Sequence, residues 1–195
     1  MKELPSKKLL RSRFRHHRQT LSPTQQRQCA IQITQHLYFH KLFKESQNIA
    51  SYYAHQNEVE TKGILEQAQQ TKKIIYLPVL QNTTNTLLFS KYTPGEKLIS
   101  NCYGIPEPEN KNFIFSSKLE LVLVPLLAFD MQGNRLGSGQ GYYDRTFAFL
   151  KNDAECKKPV LVGLAYECQK VDCLPVEAWD IPLSYLVTEK KIYEF

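Results

Sequence analysis

The chain has 195 residues, of which 42% are hydrophobic, and a formal net charge of +6 at pH 7. One domain spanning 1–195 can bury a sufficient core at this length, which excludes collagen-like and disordered classes and any need for a metal or disulfides to hold the chain together. No apolar stretch approaches the ~20 residues of a membrane span, and the N-terminus lacks the apolar core of a signal peptide. We therefore expect a cytoplasmic, monomeric protein that binds no membrane.

The first predicted element, over residues 7–20, is a basic amphipathic helix. Leu9, Leu10, Phe14 and His17 recur at helical spacings and form a narrow apolar stripe. Its cations, with no acid among them, are Lys7, Lys8, Arg11, Arg13, Arg15 and Arg18. This charge favours an anionic partner, although charge alone does not separate nucleic acid, a membrane surface and small phosphorylated or carboxylated substrates.

A second helix and three strands are predicted next. Ser22-Pro23 supplies an N-cap and a first-turn proline for a helix that runs toward Lys44. β-branched and aromatic runs predict strands over residues 49–53, 73–77 and 86–90. The stretch 62–70 has one apolar side and is interpreted as a crossover helix between the first two strands. A strand–helix–strand order of this kind predicts a parallel sheet.

The most apolar run, over residues 119–127, predicts a central strand that is covered on both faces. A turn at 132–134 and a helix from Tyr142 to about Leu150 follow it. Further buried strands are predicted over residues 160–165 and 183–187. Together these elements predict a three-layer α/β/α fold around a mostly parallel central sheet, an open sheet of the Rossmann-like kind.

A glycine-rich loop, Gly137-Ser138-Gly139-Gln140-Gly141, lies between a predicted strand and a predicted helix. Glycine permits positive φ angles and close approach of a ligand, so the loop can turn several N–H groups toward phosphate oxygens. The following helix N-terminus favours an anion, and Arg135 adds a charge. The spacing matches neither a Walker A loop nor a Rossmann fingerprint. The loop predicts a phosphate-binding site of another kind.

Two acids are candidates for binding Mg²⁺, a cation that proteins hold with one or two carboxylates plus phosphate oxygens. Asp144 follows the glycine-rich loop, and Asp180 lies in Ala178-Trp179-Asp180. On sequence alone a first-turn helix acid and a turn acid are equally good interpretations. The sequence leaves both interpretations open.

Nucleophilic and zinc chemistry have no support in the sequence, which has no Ser-His-Asp or Cys-His signature. The five cysteines, Cys29, Cys102, Cys156, Cys168 and Cys173, include no C-x-x-C pair and no histidine at zinc-ligand spacing. They are interpreted as reduced, structural thiols. His16, His17, His36 and His40 are interpreted as surface or packing residues.

Residues 135–145, after the run 124–130, resemble the signature of the 5-formyltetrahydrofolate cyclo-ligase family. The resemblance extends along the chain through four further motifs, at residues 7–11, 57–61, 104–108 and 179–189. It implies an enzyme that uses ATP and Mg²⁺ to convert 5-formyltetrahydrofolate to 5,10-methenyltetrahydrofolate, with release of ADP and phosphate. The formyl oxygen would be phosphorylated before the ring closes.

The resemblance also implies roles for individual residues. ATP contacts are implied for Lys7, Lys8, Leu9, Leu10, Arg11, Arg135, Leu136, Gly137, Ser138, Gly139, Gln140, Gly141, Tyr142 and Tyr143. Folate contacts are implied for Tyr53, Glu58, Ser138, Gly139, Gln140, Gly141 and Tyr142. Asp144 and Asp180 would bind magnesium, and the expected catalytic residues are Arg135, Tyr143 and Asp144. Some relatives have Arg or Lys where this chain has Ser138 and Gln140, so the candidates for neutralising the triphosphate are Lys7, Arg11, Arg135 and Arg145.

Several residues near these motifs have two interpretations. Glu58 suits a pterin because a carboxylate accepts paired hydrogen bonds from a ring N–H and an exocyclic amine, but a helix-entry acid near Thr61 is the alternative. Tyr52 is expected to pack inward, and His55 borders the candidate site without an assigned role. Arg13, Arg15 and Arg18 are interpreted as solvated surface.

Two other functions are compatible with parts of the sequence. The basic helix and the abundant tyrosines are also found in nucleic-acid-binding modules, but here the cations are confined to one helix. A sugar-phosphate or acyl-transfer enzyme on a similar scaffold would use a glutamate base and no ATP. The preferred hypothesis is an enzyme of small-molecule substrates that binds no nucleic acid.

Overall fold

The computed structural model describes residues 5–151 and 158–195. Its α-helices are α1 (Lys7–Thr20), α2 (Pro23–Phe39), α3 (Lys41–Glu45), α4 (Lys62–Gln70) and α5 (Tyr142–Thr146). Its strands are β1 (Asn48–Ala50), β2 (Ile74–Gln81), β3 (Thr86–Tyr92), β4 (Leu98–Ser100), β5 (Pro106–Pro108), β6 (Phe113–Ile114), β7 (Leu121–Pro125), β8 (Ala128–Phe129), β9 (Arg135–Leu136), β10 (Val160–Leu164), β11 (Tyr185–Val187) and β12 (Ile192–Glu194).

The central sheet has eight strands in the order β12-β11-β10-β7-β1-β2-β3-β6. The five strands from β11 to β2 pair in parallel, and the pairs made by β12, β3 and β6 are antiparallel. In β7, Leu121 and Leu123 pack into a cluster on one face, and Val122 and Val124 pack into a cluster on the other. The burial of β7 on both faces confirms the predicted central strand.

Helices cover both faces of the sheet. Ile33 and Leu37 of α2, Phe43 of α3 and Ile64 of α4 pack on one face, whereas Phe147, at the end of α5, packs on the other. A third cluster joins α1 to the β8–β9 hairpin. This arrangement confirms the three-layer α/β/α fold with a mostly parallel sheet. In the described part of the chain, no helix is long and apolar enough to cross a bilayer.

The predicted helices differ from the observed ones mainly at their C-terminal ends. The helix predicted toward Lys44 is divided at His40, where the backbone is extended (ψ 146°) and the His40 side chain caps α3 by accepting from the Leu42 N–H. The helix predicted to about Leu150 ends as an α-helix at Thr146 and continues as a 3₁₀ turn over Ala148–Lys151. Both boundaries depend on cap geometry, which apolar spacing does not specify.

Strand boundaries differ for similar reasons. The strand predicted over 49–53 ends at Ala50 because the chain then leaves the sheet toward the site described below. The strand predicted over 73–77 extends to Gln81, since its antiparallel partner β3 continues the ladder through Pro78. The apolar run 119–127 contains only the five residues of β7, and the run predicted from residue 183 begins as β11 at Tyr185. The short strands β4, β5, β6, β9 and β12 carry no distinct sequence pattern.

The cysteines of the described residues are free, as predicted, but only Cys29 is partly buried. Cys102, Cys168 and Cys173 are exposed, so they are not packing thiols. Burial raises the pKa of the Cys29 thiol, which keeps it protonated and unreactive near neutral pH. Cys156 lies outside the described residues.

Candidate functional site

A cavity of about 900 Å³ lies beside the carboxyl ends of β1 and β7, the two strands at the middle of the sheet. The chain leaves β1 toward β2 on one side, whereas β7 is followed across the sheet by β10 and β11 on the other. Open α/β sheets bind ligands at such a reversal of strand order. Residues that follow β1, including Tyr53 and Glu58, and residues that follow β7, including Leu127, line the same cavity.

The glycine-rich loop forms one wall of the cavity and is presented by the β8–β9 hairpin. The buried carboxylate of Asp130 closes this hairpin. Its Oδ1 accepts from the N–H groups of Gln132 (3.0 Å) and Asn134 (3.1 Å), and its Oδ2 accepts from the Leu174 N–H (3.0 Å). Because a buried carboxylate with several donors fixes the turn, the loop begins from a rigid position.

The conformation of the loop explains two of its three glycines. Gly139 has φ +113° and Gly141 has φ +66°, which side-chain-bearing residues rarely adopt. A Cβ on Gly139 would also lie 3.3 Å from the Arg11 guanidinium. Gly137 has no positive φ, and a Cβ there would enter open space. The predicted need for positive φ therefore holds at Gly139 and Gly141 only.

Arg135 and Asp144 form a tight ion pair at the base of the loop, with Nη2 and Oδ1 2.6 Å apart. The guanidinium also donates through Nη1 to the carbonyl of Ile181, whose N–H donates to Asp144 Oδ1 (3.1 Å). Burial lowers the pKa of Arg135, and the charges of Asp144 and Asp180 oppose that shift. An arginine remains protonated under such conditions, so the pair carries a fixed cation into the cavity wall.

Lys7, at the start of α1, forms a second ion pair with Asp180 in the C-terminal segment, with Nζ and Oδ2 2.7 Å apart. Asp180 Oδ2 also accepts from the Glu177 N–H (2.9 Å), and this hydrogen bond closes the turn that contains Trp179. Trp179 lines the cavity with 68% of its surface exposed. The pair therefore connects the start of α1 to the C-terminal segment at the mouth of the cavity.

The cations of α1 follow one face of the helix along the cavity. Lys7, Arg11, Arg15 and Arg18 recur at spacings of four, four and three residues, and all four line the cavity. Arg11 Nε donates to the Gly137 carbonyl (3.0 Å), and Arg15 Nη2 reaches the Ser138 carbonyl (3.4 Å). The helix therefore directs its charge at the glycine-rich loop.

The remaining residues of the N-terminal motif lie elsewhere. Lys8 and Leu9 are exposed and Leu10 is buried in the cluster beneath α1, so none of the three lines the cavity. Arg13 is exposed as expected. The interpretation of Arg18 as solvated surface is wrong: its surface is only 4% exposed, because the last turn of α1 packs it toward Glu58. Arg15, although exposed, also belongs to the cavity wall.

Glu58 lies in a tight turn beyond β1, where Gln56 (φ +48°) and Asn57 (φ +62°) are both left-handed. The turn closes on itself, since the Glu58 N–H donates to the His55 carbonyl and the His55 N–H donates to Glu58 Oε2, both at 3.1 Å. Glu58 Oε1 lies 3.9 Å from Arg18 Nη1. Desolvation raises the pKa of Glu58, and Arg18 and the His55 N–H oppose the shift. His55 itself lines the cavity.

Four tyrosines border the cavity in different ways. Tyr52 is buried as predicted, and its hydroxyl donates to the Val59 carbonyl (2.9 Å). Tyr53 is 39% exposed, so its ring is accessible from the cavity. Tyr143 is half-buried and stacks on Phe147 at a centroid distance of 6.3 Å. Burial raises the pKa of Tyr143, so its hydroxyl stays protonated. Tyr142 is half-buried beside the guanidinium of Arg145.

Arg145 holds the end of the glycine-rich loop. Its Nη2 donates to the Gln140 carbonyl, and its Nε donates to the Asn85 carbonyl (2.7 Å). The side chain is exposed at the rim of the cavity. The four candidates for neutralising a triphosphate, which are Lys7, Arg11, Arg135 and Arg145, therefore all reach the cavity wall.

Sequence reasoning missed a polar part of the wall that the central motif supplies. Glu107 is buried, and its Oε1 accepts from the Leu80 N–H (2.9 Å) and from Asn101 Nδ2 (2.8 Å). Glu107, Asn101 and Ile105 line the cavity. A Pro-Glu-Pro segment gives no sign of such a contact. Only the motif resemblance over 104–108 could have drawn attention to it.

Asp144 and Asp180 both line the cavity, and each has one carboxylate oxygen of the kind that Mg²⁺ binds. One oxygen of each carboxylate already accepts two hydrogen bonds, whereas Asp144 Oδ2 and Asp180 Oδ1 accept none from the described residues. Residues 5–151 and 158–195 contain no group of three His, Cys, Asp or Glu that could hold a metal alone. Mg²⁺ does not require one, because it takes one or two carboxylates and completes its shell with phosphate and water.

Comparison with known proteins identifies the family. A match to the 5-formyltetrahydrofolate cyclo-ligase family covers residues 3–189. The chain is 39% identical over 177 residues to the 5-formyltetrahydrofolate cyclo-ligase of Haemophilus influenzae, covering 89% of this chain and 92% of that protein. It is 36% identical over 185 residues to the Escherichia coli protein of the same name, covering 93% and 100%.

Solved structures agree with this result. The NMR structure of Aquifex aeolicus 5,10-methenyltetrahydrofolate synthetase superimposes with a TM-score of 0.82 at 31% identity, covering 96% of this chain and 92% of that one. The synthetase of that name from Mycoplasma pneumoniae, at 24% identity and a TM-score of 0.75, has the same fold over 95% of this chain and 99% of that one. The chain is therefore an enzyme of the ligase class that belongs to the 5-formyltetrahydrofolate cyclo-ligase family.

Proposed function

We propose that the protein cyclises 5-formyltetrahydrofolate to 5,10-methenyltetrahydrofolate in a reaction that requires Mg²⁺ and consumes ATP, releasing ADP and phosphate. One observation carries the proposal: a single cavity of about 900 Å³ has a cationic glycine-rich wall, suited to phosphates, and a turn that presents the Glu58 carboxylate, suited to a pterin. Its relatives are named for this reaction.

ATP would lie along the glycine-rich loop, residues 137–141. The positive φ angles of Gly139 and Gly141 let the backbone approach phosphate oxygens closely. Lys7, Arg11 and Arg135 supply the positive charge that Ser138 and Gln140 do not. Lys8 and Leu9 are exposed outside the cavity wall, so in this proposal Lys7 and Arg11 make the nucleotide contacts of the N-terminal motif.

Asp144 and Asp180 would hold Mg²⁺ through their uncommitted oxygens, with the nucleotide phosphates as further ligands. A metal ion at this position supplies neutralisation of the charge on the transferred phosphoryl group. The ion pairs with Arg135 (2.6 Å) and Lys7 (2.7 Å) keep the two carboxylates in place before the nucleotide binds. They also bring two cations close to the same phosphates.

The chemistry needs an activated formyl oxygen, since that oxygen is a poor leaving group. In the proposed reaction it attacks the γ-phosphorus of ATP, a P–O bond forms and ADP leaves. The N10 amine then attacks the formyl carbon and loses its proton, and the C–O bond breaks with release of phosphate. The substrates supply both nucleophiles, so Arg135, Asp144 and the neutral hydroxyl of Tyr143 act by positioning and charge neutralisation.

The proposal is tested by mixing the purified protein with 5-formyltetrahydrofolate and Mg·ATP and following the ultraviolet absorbance of the methenyl product. We expect product only when the folate, ATP and Mg²⁺ are all present, and one ADP per product. A complete mixture without product contradicts the proposed function. Product formation that does not depend on ATP would instead favour an acyl-transfer enzyme on the same scaffold.

A further inference from the structure

Arg18 is the least satisfied charged side chain near the folate end of the cavity. It lies in the last turn of α1 and is 4% exposed, yet it lines the cavity wall. Its Nε has no hydrogen-bond partner among the described residues. Since a guanidinium has five N–H donors and buried donors are nearly always satisfied, Arg18 has donors available for a bound ligand.

The contact between Arg18 and Glu58 is too long for a hydrogen bond. Nη1 and Oε1 are 3.9 Å apart, whereas charge-assisted hydrogen bonds are about 2.7–2.9 Å long. By contrast, Glu58 Oε2 accepts from the His55 N–H at 3.1 Å. The two head groups therefore lie side by side, close enough to serve adjacent positions on one ring edge, and neither saturates the other.

A reduced pterin has one edge with this complementary pattern. Its exocyclic 2-amine and N3–H are neighbouring donors, and the 4-oxo group beside them is an acceptor. A carboxylate accepts from the first two groups, and a guanidinium donates to the third. We propose that Arg18 donates a hydrogen bond to the 4-oxo group of the substrate while Glu58 accepts from N3–H and the 2-amine. This assignment rests on the proposed function.

The pair would then determine specificity for the 4-oxo ring. A 4-amino analogue places an N–H donor where the 4-oxo acceptor stood, so donor faces donor at Arg18. It also lacks the proton on N3, so Glu58 loses one donor, and only the part of the preference that depends on Arg18 tests the assignment. Sites that bind a polar group through buried hydrogen bonds reject analogues lacking it far more strongly than apolar pockets reject a change of size. If Arg18 were only the counter-ion of Glu58, its loss would weaken both ligands equally.

The test compares 5-formyltetrahydrofolate with its 4-amino counterpart by titration calorimetry on wild-type protein and the variants Arg18→Met and Arg18→Lys. We expect wild-type protein to prefer the 4-oxo ligand by about 100-fold or more, Arg18→Met to reduce this preference by about tenfold or more, and Arg18→Lys to reduce it less. In turnover, KM for the formylfolate should rise more than kcat falls. Arg13→Met, on the exposed side of the same helix, is the matched control and should behave as wild type.

Several results would overturn the assignment. A 4-oxo preference that is unchanged in Arg18→Met contradicts it, whether both affinities are kept or both fall equally. If Arg18→Met does not fold, as judged by its thermal unfolding, Arg18→Lys and the wild-type comparison keep the assignment falsifiable. A wild-type protein without 4-oxo preference, or an Arg18→Lys protein with the full wild-type preference, contradicts the assignment. These failures are distinct from failure of the proposed function, in which wild-type protein makes no methenyl product at all.

Discussion

The two ends of the cavity differ in how their charges are paired. At the phosphate end, Asp144 and Asp180 are held by Arg135 and Lys7 at 2.6 and 2.7 Å. At the pterin end, Glu58 and Arg18 remain 3.9 Å apart although both side chains are mostly shielded from solvent. Under the proposed function, tight pairing would keep the proposed phosphate end organised before a highly charged ligand binds. Loose pairing would leave donors and acceptors available to discriminate a neutral ring.

At the tightly paired end of the cavity, Asp144→Ala is expected to have the largest effect on turnover. This change removes a proposed magnesium ligand and leaves the buried Arg135 guanidinium without its partner. We expect kcat to fall by about 100- to 1000-fold, as for loss of a group that stabilises charge in a transition state. Steady-state turnover measures the effect. Asp172→Ala, at an exposed acid outside the cavity wall, should leave turnover unchanged, and full activity of Asp144→Ala would remove Asp144 from the proposed site.

The loosely paired end of the cavity, at Glu58 and Arg18, is tested by the pH dependence of KM for the folate. The folded-state pKa of Glu58 is raised by desolvation, and only the ionised carboxylate accepts both pterin hydrogen bonds. KM for the folate should therefore rise as pH falls through a value above the ordinary pKa of 4.5, approaching about tenfold per pH unit below it. Glu58→Gln should have a higher KM that does not change over this range. A wild-type KM that stays flat as pH falls from 7 to 4.5 would contradict the role of Glu58.

A smaller effect is expected at the mouth of the cavity. Lys7→Met removes the cation that pairs with Asp180 and faces the proposed nucleotide site. KM for ATP should rise by about tenfold, the usual consequence of losing one hydrogen bond to a charged group. Lys8→Met is the matched control, because Lys8 is exposed outside the cavity wall. Equal effects of the two changes would mean that only the overall charge of α1 matters.

The smallest effect is expected at the other end of the central strands, just before β7, where a charged residue contributes to stability and not to the site. Glu120 accepts from the N–H groups of Gln47 (2.5 Å) and Asn48 (2.9 Å) and from Lys158, and these contacts lower its pKa to about 2. Its ionised form therefore adds stability above pH 4.5 that is lost as pH falls toward 2. Because its partner Lys158 is 61% exposed, solvent screens the ion pair, and we expect less than about 1 kcal/mol. Chemical unfolding of wild type and Glu120→Gln at several pH values measures it, and equal pH dependence would contradict it.

Local sequence was sufficient for the parts of the site that are contiguous in the chain. The glycine-rich loop, Asp144 and the basic helix could each be predicted, because turn chemistry and apolar spacing are local signals. Arg18 could not, since its burial depends on parts of the chain that are distant in sequence, including the turn that carries Glu58. One of the donors to Asp130 comes from Leu174, more than forty residues away, which no local pattern reveals.

Prediction of the fold had the same limit: strands with a local sequence pattern were predicted, and strands defined only by their partner were not. The five parallel strands of the sheet were all predicted, β7, β10 and β11 as buried apolar runs and β1 and β2 as β-branched and aromatic runs. Of the antiparallel strands at the periphery, β3 was predicted over residues 86–90, whereas β6 and β12 were not. The two-residue strands β6 and β9 exist only because a partner strand aligns with them. Their residues carry no β-pattern of their own.

Trp179 is an intrinsic fluorescence probe of the cavity. It is the only tryptophan of the 195 residues, and its largely exposed ring stands at the mouth beside Asp180. All indole emission of the chain therefore comes from one position next to the proposed nucleotide site. Intensity changes during titration with ATP or with folate can be assigned to that position without a label.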